Sequence, residues 1–155
     1  KRETMPVMTK KHKIILEDIF ISLKKYFKNK LLEKEITLVT NFPPSIETVL
    51  PSEYLEIILS NLLSNSIKYS QLKSLVSVMI KTDLKTIIEI KDQGIGMTEE
   101  EVLHMFDRFY RGKTAHKEHG HGIGLSIVKQ ICDIYKLPII VRSEKEKGTV
   151  IQLTV

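Results

Sequence analysis

Apolar residues recur at helical spacing in three long segments of the chain. The first pattern begins at Ile14 and ends near residues 29–32, and the second covers 52–69, where Ser52 is predicted to cap the helix. The third follows a glycine-rich run and extends from Leu125 to about Tyr135. Each segment is therefore predicted to form an amphipathic helix with one apolar face.

Shorter segments rich in Val and Ile, bounded by Pro, Gly or polar turns, predict strands. The predicted strands cover 36–40, 46–50, 75–82, 85–91, 139–143 and 149–155. Asp83 and Leu84 form the turn of an antiparallel hairpin, and Thr98 with Glu101 forms a capping box for a short helix over 99–105. The order αββαββααββ predicts an α+β domain, a two-layer α/β sandwich whose mixed, mostly antiparallel sheet has helices on one face.

Composition places the chain among ordinary soluble domains. Its 155 residues are 42% hydrophobic and 28% charged, which suits one domain with a single core. The net charge of +5 comes from scattered lysines without interleaved aromatics, so a solvated surface is favoured over nucleic-acid binding. Cys132 is the single cysteine and falls in a helical apolar pattern, so it is interpreted as a buried structural thiol in a reducing compartment.

Gly120, Gly122 and Gly124 alternate directly before the third predicted helix. Glycines let the backbone approach a ligand, and a helix N-terminus offers unpaired N–H groups to an anion such as a phosphate. A glycine-rich turn also makes room for a helix against a sheet. This run alone therefore leaves phosphate binding and packing open.

A polar stripe on the second helix consists of Asn61, Asn65 and Lys68, spaced i, i+4 and i+7. The stripe is either an ordinary exposed face or a site in which Asn65 offers an amide oxygen to Mg²⁺ and Lys68 a charge to a phosphate.

Two further segments carry candidate binding residues. Asp92 ends a predicted strand and is followed by Gly94 and Gly96, an arrangement that suits either an adenine amine against a carboxylate or a simple polar turn. In the segment 106–111, Phe106 and Phe109 are interpreted as packing residues, while Arg111 stands where it can reach a terminal phosphate.

The polar segment 112–121 contains His116, His119 and His121. We interpret these histidines as solvated residues of a flexible loop, with a transition-metal site as the less favoured alternative.

Taken in order, these segments resemble the ATP-binding catalytic domain of sensor histidine kinases, within the wider ATPase group of DNA gyrase, Hsp90 and MutL. The matching motifs are NLLSNSIKYS (61–70), DQGIGM (92–97), FDRFYR (106–111) and GHGIGL (120–125). The ending SEKEKGTVIQLTV is also similar to that of the family. The resemblance covers 14–155 and implies a Bergerat-type ATP-binding fold in which 112–121 is a flexible ATP lid.

The resemblance also implies site residues and cofactors. It implies ATP and Mg²⁺, with Asn65 as the metal ligand, Asp92 as the carboxylate that reads adenine, and Asn65, Lys68 and Arg111 as the catalytic residues. The implied nucleotide-binding set is Asn61, Asn65, Lys68, Tyr69, Asp92, Gly94, Gly96, Arg111, Gly120, His121, Gly122, Ile123, Gly124 and Leu125.

One position favours a kinase over an ATPase. Gyrase-like and Hsp90-like members carry a water-activating glutamate four residues before the Mg²⁺-binding asparagine, where this chain has Asn61. Phosphoryl transfer to a protein is therefore favoured over ATP hydrolysis. The alternatives are a nucleotide-binding regulatory module without phosphoryl transfer and a gyrase-like ATPase.

The chain departs from the family pattern in two places. Residues 135–138 replace the usual His-Gly-Gly turn, and His12, upstream of the ATP motifs, does not resemble the phosphoacceptor motif. The implied partners are therefore a histidine-bearing dimerisation domain of the same parent and a response regulator receiver domain. No nucleic acid and no direct membrane contact are expected. Residues 1–13 are expected to be a linker or the end of a preceding dimerisation helix, and the domain is expected to be the cytoplasmic part of a membrane-anchored bacterial protein.

Overall fold

A computed structural model describes residues 10–110 and 124–155 of the chain. The helices are α1 (Leu16–Lys34), α2 (Ser52–Tyr69), α3 (Glu99–His104) and α4 (Gly124–Tyr135). The strands are β1 (His12–Ile15), β2 (Thr37–Asn41), β3 (Ser45–Thr48), β4 (Leu75–Thr82), β5 (Thr86–Lys91), β6 (Ile139–Glu144) and β7 (Gly148–Thr154).

The main sheet has the strand order β2-β4-β5-β7-β6. β2 runs parallel to β4, and the other neighbours in this sheet are antiparallel, including the β4–β5 hairpin that the sequence predicts. The predicted mixed and mostly antiparallel sheet is therefore confirmed.

Helices cover one face of this sheet. Along β4 the side chains of Val76, Val78 and Ile80 are buried, while the residues between them point to the more exposed face. α2 contributes the longest apolar face to the same core, through Leu55, Ile58, Leu59, Leu62, Leu63 and Ile67. This arrangement places the polar side of α2 near the ends of the central strands, where the candidate site lies.

The first helix begins later than its apolar pattern predicts. Residues His12–Ile15 form a strand that pairs antiparallel with Ser45–Thr48, and the helix starts at Leu16. Ile14 is buried opposite Ile46 in this pair. A buried isoleucine at the end of a strand also fits the helical spacing that follows, so the pattern alone did not separate the two elements.

One predicted helix cap is confirmed and the other is wrong. Thr98 and Glu101 form both hydrogen bonds of a capping box at the start of α3. α2 instead begins after Pro51, which occupies the N-cap position without a side-chain hydrogen bond, so Ser52 is already helical. Proline favours this boundary because its fixed φ suits the start of a helix.

We expect Thr98→Ala to lower the free energy of unfolding by about 1 kcal/mol, because it removes the acceptor for the N–H of Glu101. Ser52→Ala is the matched control and should change the free energy by less than about 0.5 kcal/mol, since Ser52 makes no capping hydrogen bond. Urea unfolding of both variants measures the difference. Equal losses at the two positions would contradict the assignment of the caps.

Cys132 is buried on α4, as the sequence predicts. Burial raises the pKa of its thiol to about 11, so the thiol remains protonated at neutral pH and packs as a small apolar group. Within residues 10–110 and 124–155, no helix is long and apolar enough to cross a membrane.

Candidate functional site

A buried carboxylate lies where β5 ends. The side chain of Asp92 is only 6% exposed, and its Oδ1 accepts hydrogen bonds from the backbone N–H of Gly94 at 2.9 Å and of Thr149 at 3.1 Å. The hydroxyl group of Ser66, on α2, also donates to this carboxylate. Asp92 is thus held by three elements of the fold: its own loop, β7 and α2.

Burial raises the pKa of Asp92 above its usual range, and the hydrogen bonds from Gly94, Thr149 and Ser66 offset only part of this effect. The folded chain therefore favours the protonated carboxyl group more than the unfolded chain does. The resulting stabilisation is fully present below the ordinary pKa of an aspartate and is lost as the pH rises through the raised pKa. Keeping a carboxylate here costs folding free energy at neutral pH, which is typical of a functional position.

The loop after Asp92 lies directly against the end of α2. The backbone N–H of Ile95 donates to the carbonyl oxygen of Tyr69 at 3.1 Å, and Ser70 forms an antiparallel bridge with Gly94. A Cβ added to Gly94 would lie 2.5 Å from the same Tyr69 oxygen. Only glycine allows this approach, so Gly94 fixes the distance between the loop and α2.

Gly96 meets the other side of the site. Its φ is +69°, and a Cβ at this position would overlap the carbonyl oxygen of Glu144 at the end of β6. The neighbouring N–H of Met97 donates to the hydroxyl oxygen of Ser143 at 2.8 Å. The structure therefore gives Gly96 a packing role that does not depend on a ligand.

The predicted polar stripe of α2 is half-buried along its length. The Nδ2 of Asn61 donates to the carbonyl oxygen of Ile57 at 2.8 Å, and its Oδ1 lies 2.5 Å from the position that a Cβ of Gly124 would take. The start of α4 is thus packed one helical turn from Asn65. Farther along the stripe, the ammonium group of Lys68 lies 6.0 Å from the centroid of the Tyr69 ring.

These contacts bring together most of the predicted site residues that the structure describes. α2 carries Asn61, Asn65, Lys68 and Tyr69, the loop after β5 carries Asp92, Gly94 and Gly96, and α4 begins with Gly124 and Leu125. Arg111, Gly120, His121, Gly122 and Ile123 lie outside the described residues. The predicted lid over 112–121, with His116 and His119, lies there too.

Two residues of the site were missed in the sequence. Ser66 and Thr149 both hold the carboxylate of Asp92. Gly148 makes the second contact possible, because its φ is +95° and a Cβ there would overlap the carbonyl oxygen of Asp92. The glycine directly before the last strand was the available signal for this close approach.

The two phenylalanines of the segment 106–111 differ in burial. Phe106 packs against the core, as predicted, but Phe109 is 61% exposed, so its prediction as a packing residue is wrong. Phe109 has a φ of +65°, and the guanidinium of Arg108 lies 4.9 Å from its ring centroid. This backbone turn leaves its ring outside the core.

Metal ligands are sparse in this part of the chain. Among the described residues there is no group of three or more His, Cys, Asp or Glu side chains that could hold a metal ion. On the polar stripe of α2, Asn65 carries an amide oxygen. This suits Mg²⁺, which typically takes one or two protein ligands and completes its coordination with water and substrate phosphates.

Most of the chain matches a known protein family. Residues 51–155 match the family described as "Histidine kinase-, DNA gyrase B-, and HSP90-like ATPase". The sensor histidine kinase YkoH of Bacillus subtilis is 34% identical over 123 residues, which cover 78% of this chain and 27% of that protein. The adaptive-response sensory kinase SasA of Rippkaea orientalis is 33% identical over 144 residues, which cover 91% of this chain and 36% of that protein.

Solved structures agree with the fold. The mycobacterial sensor histidine kinase MprB superposes with a TM-score of 0.77 at 22% identity, over 93% of this chain and 97% of that one. The catalytic domain of histidine kinase ThkA gives a TM-score of 0.76 at 18% identity, over 95% of each chain. The predicted α+β fold, with its mixed and mostly antiparallel sheet, is therefore confirmed.

Proposed function

The chain belongs to the family of histidine kinase-, DNA gyrase B- and HSP90-like ATPases, and we propose that it is the ATP-binding catalytic domain of a sensor histidine kinase. In this proposal it transfers the γ-phosphoryl group of ATP to a histidine on a dimerisation domain of the same parent. The phosphoryl group then passes to an aspartate of a response regulator receiver domain. The names of the sensor kinases to which the chain is similar support this assignment.

The buried carboxylate of Asp92 is the observation that carries the proposal. Adenine presents an exocyclic amine, and a carboxylate held by backbone N–H groups is a strong acceptor for that donor. Its burial raises the strength of this hydrogen bond, since little water competes for it. We therefore propose that Asp92 recognises the adenine base by accepting a hydrogen bond from its amine.

The phosphates are proposed to lie along α2 toward the start of α4. Asn65 would hold Mg²⁺, which when bound neutralises charge on the phosphates. Lys68 supplies a positive charge on the same helix face, and the N-terminus of α4 begins against Asn61 at Gly124. Arg111 and the segment 120–123 are proposed to complete this end of the site.

Transfer to a protein is favoured over hydrolysis because of Asn61. Its amide nitrogen bonds to the carbonyl oxygen of Ile57, and its oxygen faces Gly124. An amide cannot accept a proton from water as a carboxylate does. The position that resembles the water-activating glutamate of gyrase-like enzymes therefore lacks the required base.

We further propose that the domain lies on the cytoplasmic side of a bacterial membrane in which its parent is anchored, because ATP is available there. The relatives include proteins named as sensors, which supports this placement.

Phosphoryl transfer can be tested with γ-labelled ATP and a histidine-bearing dimerisation domain supplied as a separate chain. We expect acid-labile phosphohistidine on that domain with the wild-type chain. With Asn65→Ala we expect a rate about 10- to 100-fold lower, because the metal ligand is lost. Asp133→Ala is the control, since Asp133 is an exposed residue of α4 paired with Lys129.

Two results would redirect the assignment. Tight ATP binding without any phosphohistidine would indicate a regulatory nucleotide-binding module. Steady ATP turnover by the isolated chain near about 1 s⁻¹ would indicate a gyrase-like ATPase.

A further inference from the structure

Lys34, the last residue of α1, binds the C-terminal end of α2. Its ammonium group donates to the carbonyl oxygens of Ile67 and Lys68, both at 2.8 Å, and the contact is partly buried. The last carbonyls of a helix have no partners within the helix. A cation at this end also complements the negative pole of the helix dipole. Lys34 therefore caps the helix that carries the asparagines.

The backbone around Lys34 is fixed as well. α1 ends at Glu35, whose φ of 52° is left-handed and whose N–H bonds to the carbonyl oxygens of Leu31 and Leu32. The carbonyl oxygen of Lys34 accepts the N–H of Lys73 at 2.9 Å, in the loop that follows α2. Side chain and backbone of one residue thus hold both the end of α2 and its exit loop.

The capped end of α2 is in contact with the base-binding loop. Tyr69 directly follows the capped carbonyls, and its own carbonyl oxygen accepts the N–H of Ile95. Gly94 lies against the same oxygen, and its N–H donates to Asp92. A displacement of the end of α2 therefore moves Lys68. It also moves the loop of Gly94, whose N–H holds the Asp92 carboxylate.

We propose that Lys34 is a positioning residue of the nucleotide site. By binding two terminal carbonyls of α2, its ammonium group holds Lys68 and Tyr69 in place and, through Tyr69, the loop of Asp92. This inference rests on the proposed function of the site as a nucleotide-binding site. Lys34 acts through these residues and does not contact the ligand.

The cost of losing the cap is expected to appear in ligand affinity. Without the ammonium group, the carbonyl oxygens of Ile67 and Lys68 each lose a donor, although that of Ile67 keeps the N–H of Ser70 at 3.4 Å. The last turn of α2 then opens more often. A nucleotide then has to order that turn when it binds, and the ordering reduces its affinity.

Isothermal titration of the 155-residue chain with Mg²⁺ and a non-hydrolysable ATP analogue tests the inference. We expect Lys34→Met to weaken binding by about tenfold and Lys34→Arg to restore most of it, because Arg again donates charge-assisted hydrogen bonds. Lys30→Met is the matched control, since Lys30 is exposed one turn earlier on α1, and its affinity should equal that of the wild type.

Hydrogen exchange of the unliganded variants supplies the second readout. We expect Lys34→Met to speed exchange of the amides of residues 68–75, and Lys30→Met to leave them unchanged.

A lower melting temperature with unchanged affinity would show a purely structural role and overturn the inference. If Lys34→Met does not fold, Lys34→Gln, which keeps one donor group, should show a smaller loss of affinity, and wild-type affinity would again overturn it. Failure of the wild-type chain itself to bind the analogue would instead overturn the proposed function.

Discussion

Replacing Asp92 with Asn is expected to weaken binding of a non-hydrolysable ATP analogue by about 100-fold or more while the fold stays intact. The side-chain oxygen of Asn can still accept the N–H groups of Gly94 and Thr149. Its amide group, however, would meet the adenine amine with a second donor. When a buried donor loses a charged acceptor, the binding free energy weakens by about 3 kcal/mol. This loss corresponds to the expected decrease in affinity of about 100-fold or more. Isothermal titration measures it.

The same substitution should not reduce stability at neutral pH. Because burial raises the pKa of Asp92, the ionised carboxylate destabilises the folded chain above that pKa, and this cost is absent from the neutral Asn. We expect the melting temperature of Asp92→Asn at pH 7 to equal or exceed that of the wild type. The difference should shrink as the pH falls and the wild-type carboxyl group takes up its proton. Loss of binding with retained stability separates a functional carboxylate from a structural one.

Glu89→Gln is the matched control for this experiment. Glu89 lies on β5, the strand that ends just before Asp92, and its carboxylate accepts a hydrogen bond from the side-chain amide of Gln152 at 2.9 Å on the other face of the sheet. The variant loses the same charge and should bind the analogue as the wild type does. An affinity of Asp92→Asn within threefold of the control would rule out the assigned role of the carboxylate.

Local sequence patterns were sufficient to predict most of the helices and strands. α2 runs over the residues that its apolar spacing predicts, and the β4–β5 hairpin follows from Val- and Ile-rich segments around a polar turn. β1 was missed because its identity depends on pairing with Ser45–Thr48, and the paired residues are 30 to 36 positions apart. Helical spacing and a short paired strand are both consistent with the same isoleucines, and only the partner strand decides between them.

The residues of the candidate site likewise fall into those that local sequence motifs predict and those that depend on distant contacts. Asn65 and Asp92 were predicted because the motifs that contain them are continuous in sequence. Thr149 and Lys34 were not, since their contacts join residues 57 and 33 positions apart. The sequence shows which side chains are present, but not which distant backbone groups hold them. Residues that support the site through such distant contacts can be identified only from the folded structure.

Gly96→Ala is expected to lower the free energy of unfolding by about 3 kcal/mol. The left-handed backbone costs alanine about 1–2 kcal/mol. The added Cβ would also overlap the carbonyl oxygen of Glu144, and a shift of backbone to relieve the overlap adds a cost of about 1–3 kcal/mol. Urea unfolding without any nucleotide measures the loss.

The control for Gly96→Ala separates packing from ligand access. Lys145→Ala removes a side chain at the same turn and with it the 3.4 Å ion pair to Glu101, which should cost less than about 1 kcal/mol because the lysine is partly exposed. If Gly96 served only to let the flat base approach the backbone, Gly96→Ala would reduce nucleotide affinity and leave the unliganded chain as stable as the wild type. We expect the destabilisation to be present before any nucleotide is added. Gly96 then contributes to binding by holding the loop of Asp92 against the end of β6, and not by leaving space for the ligand.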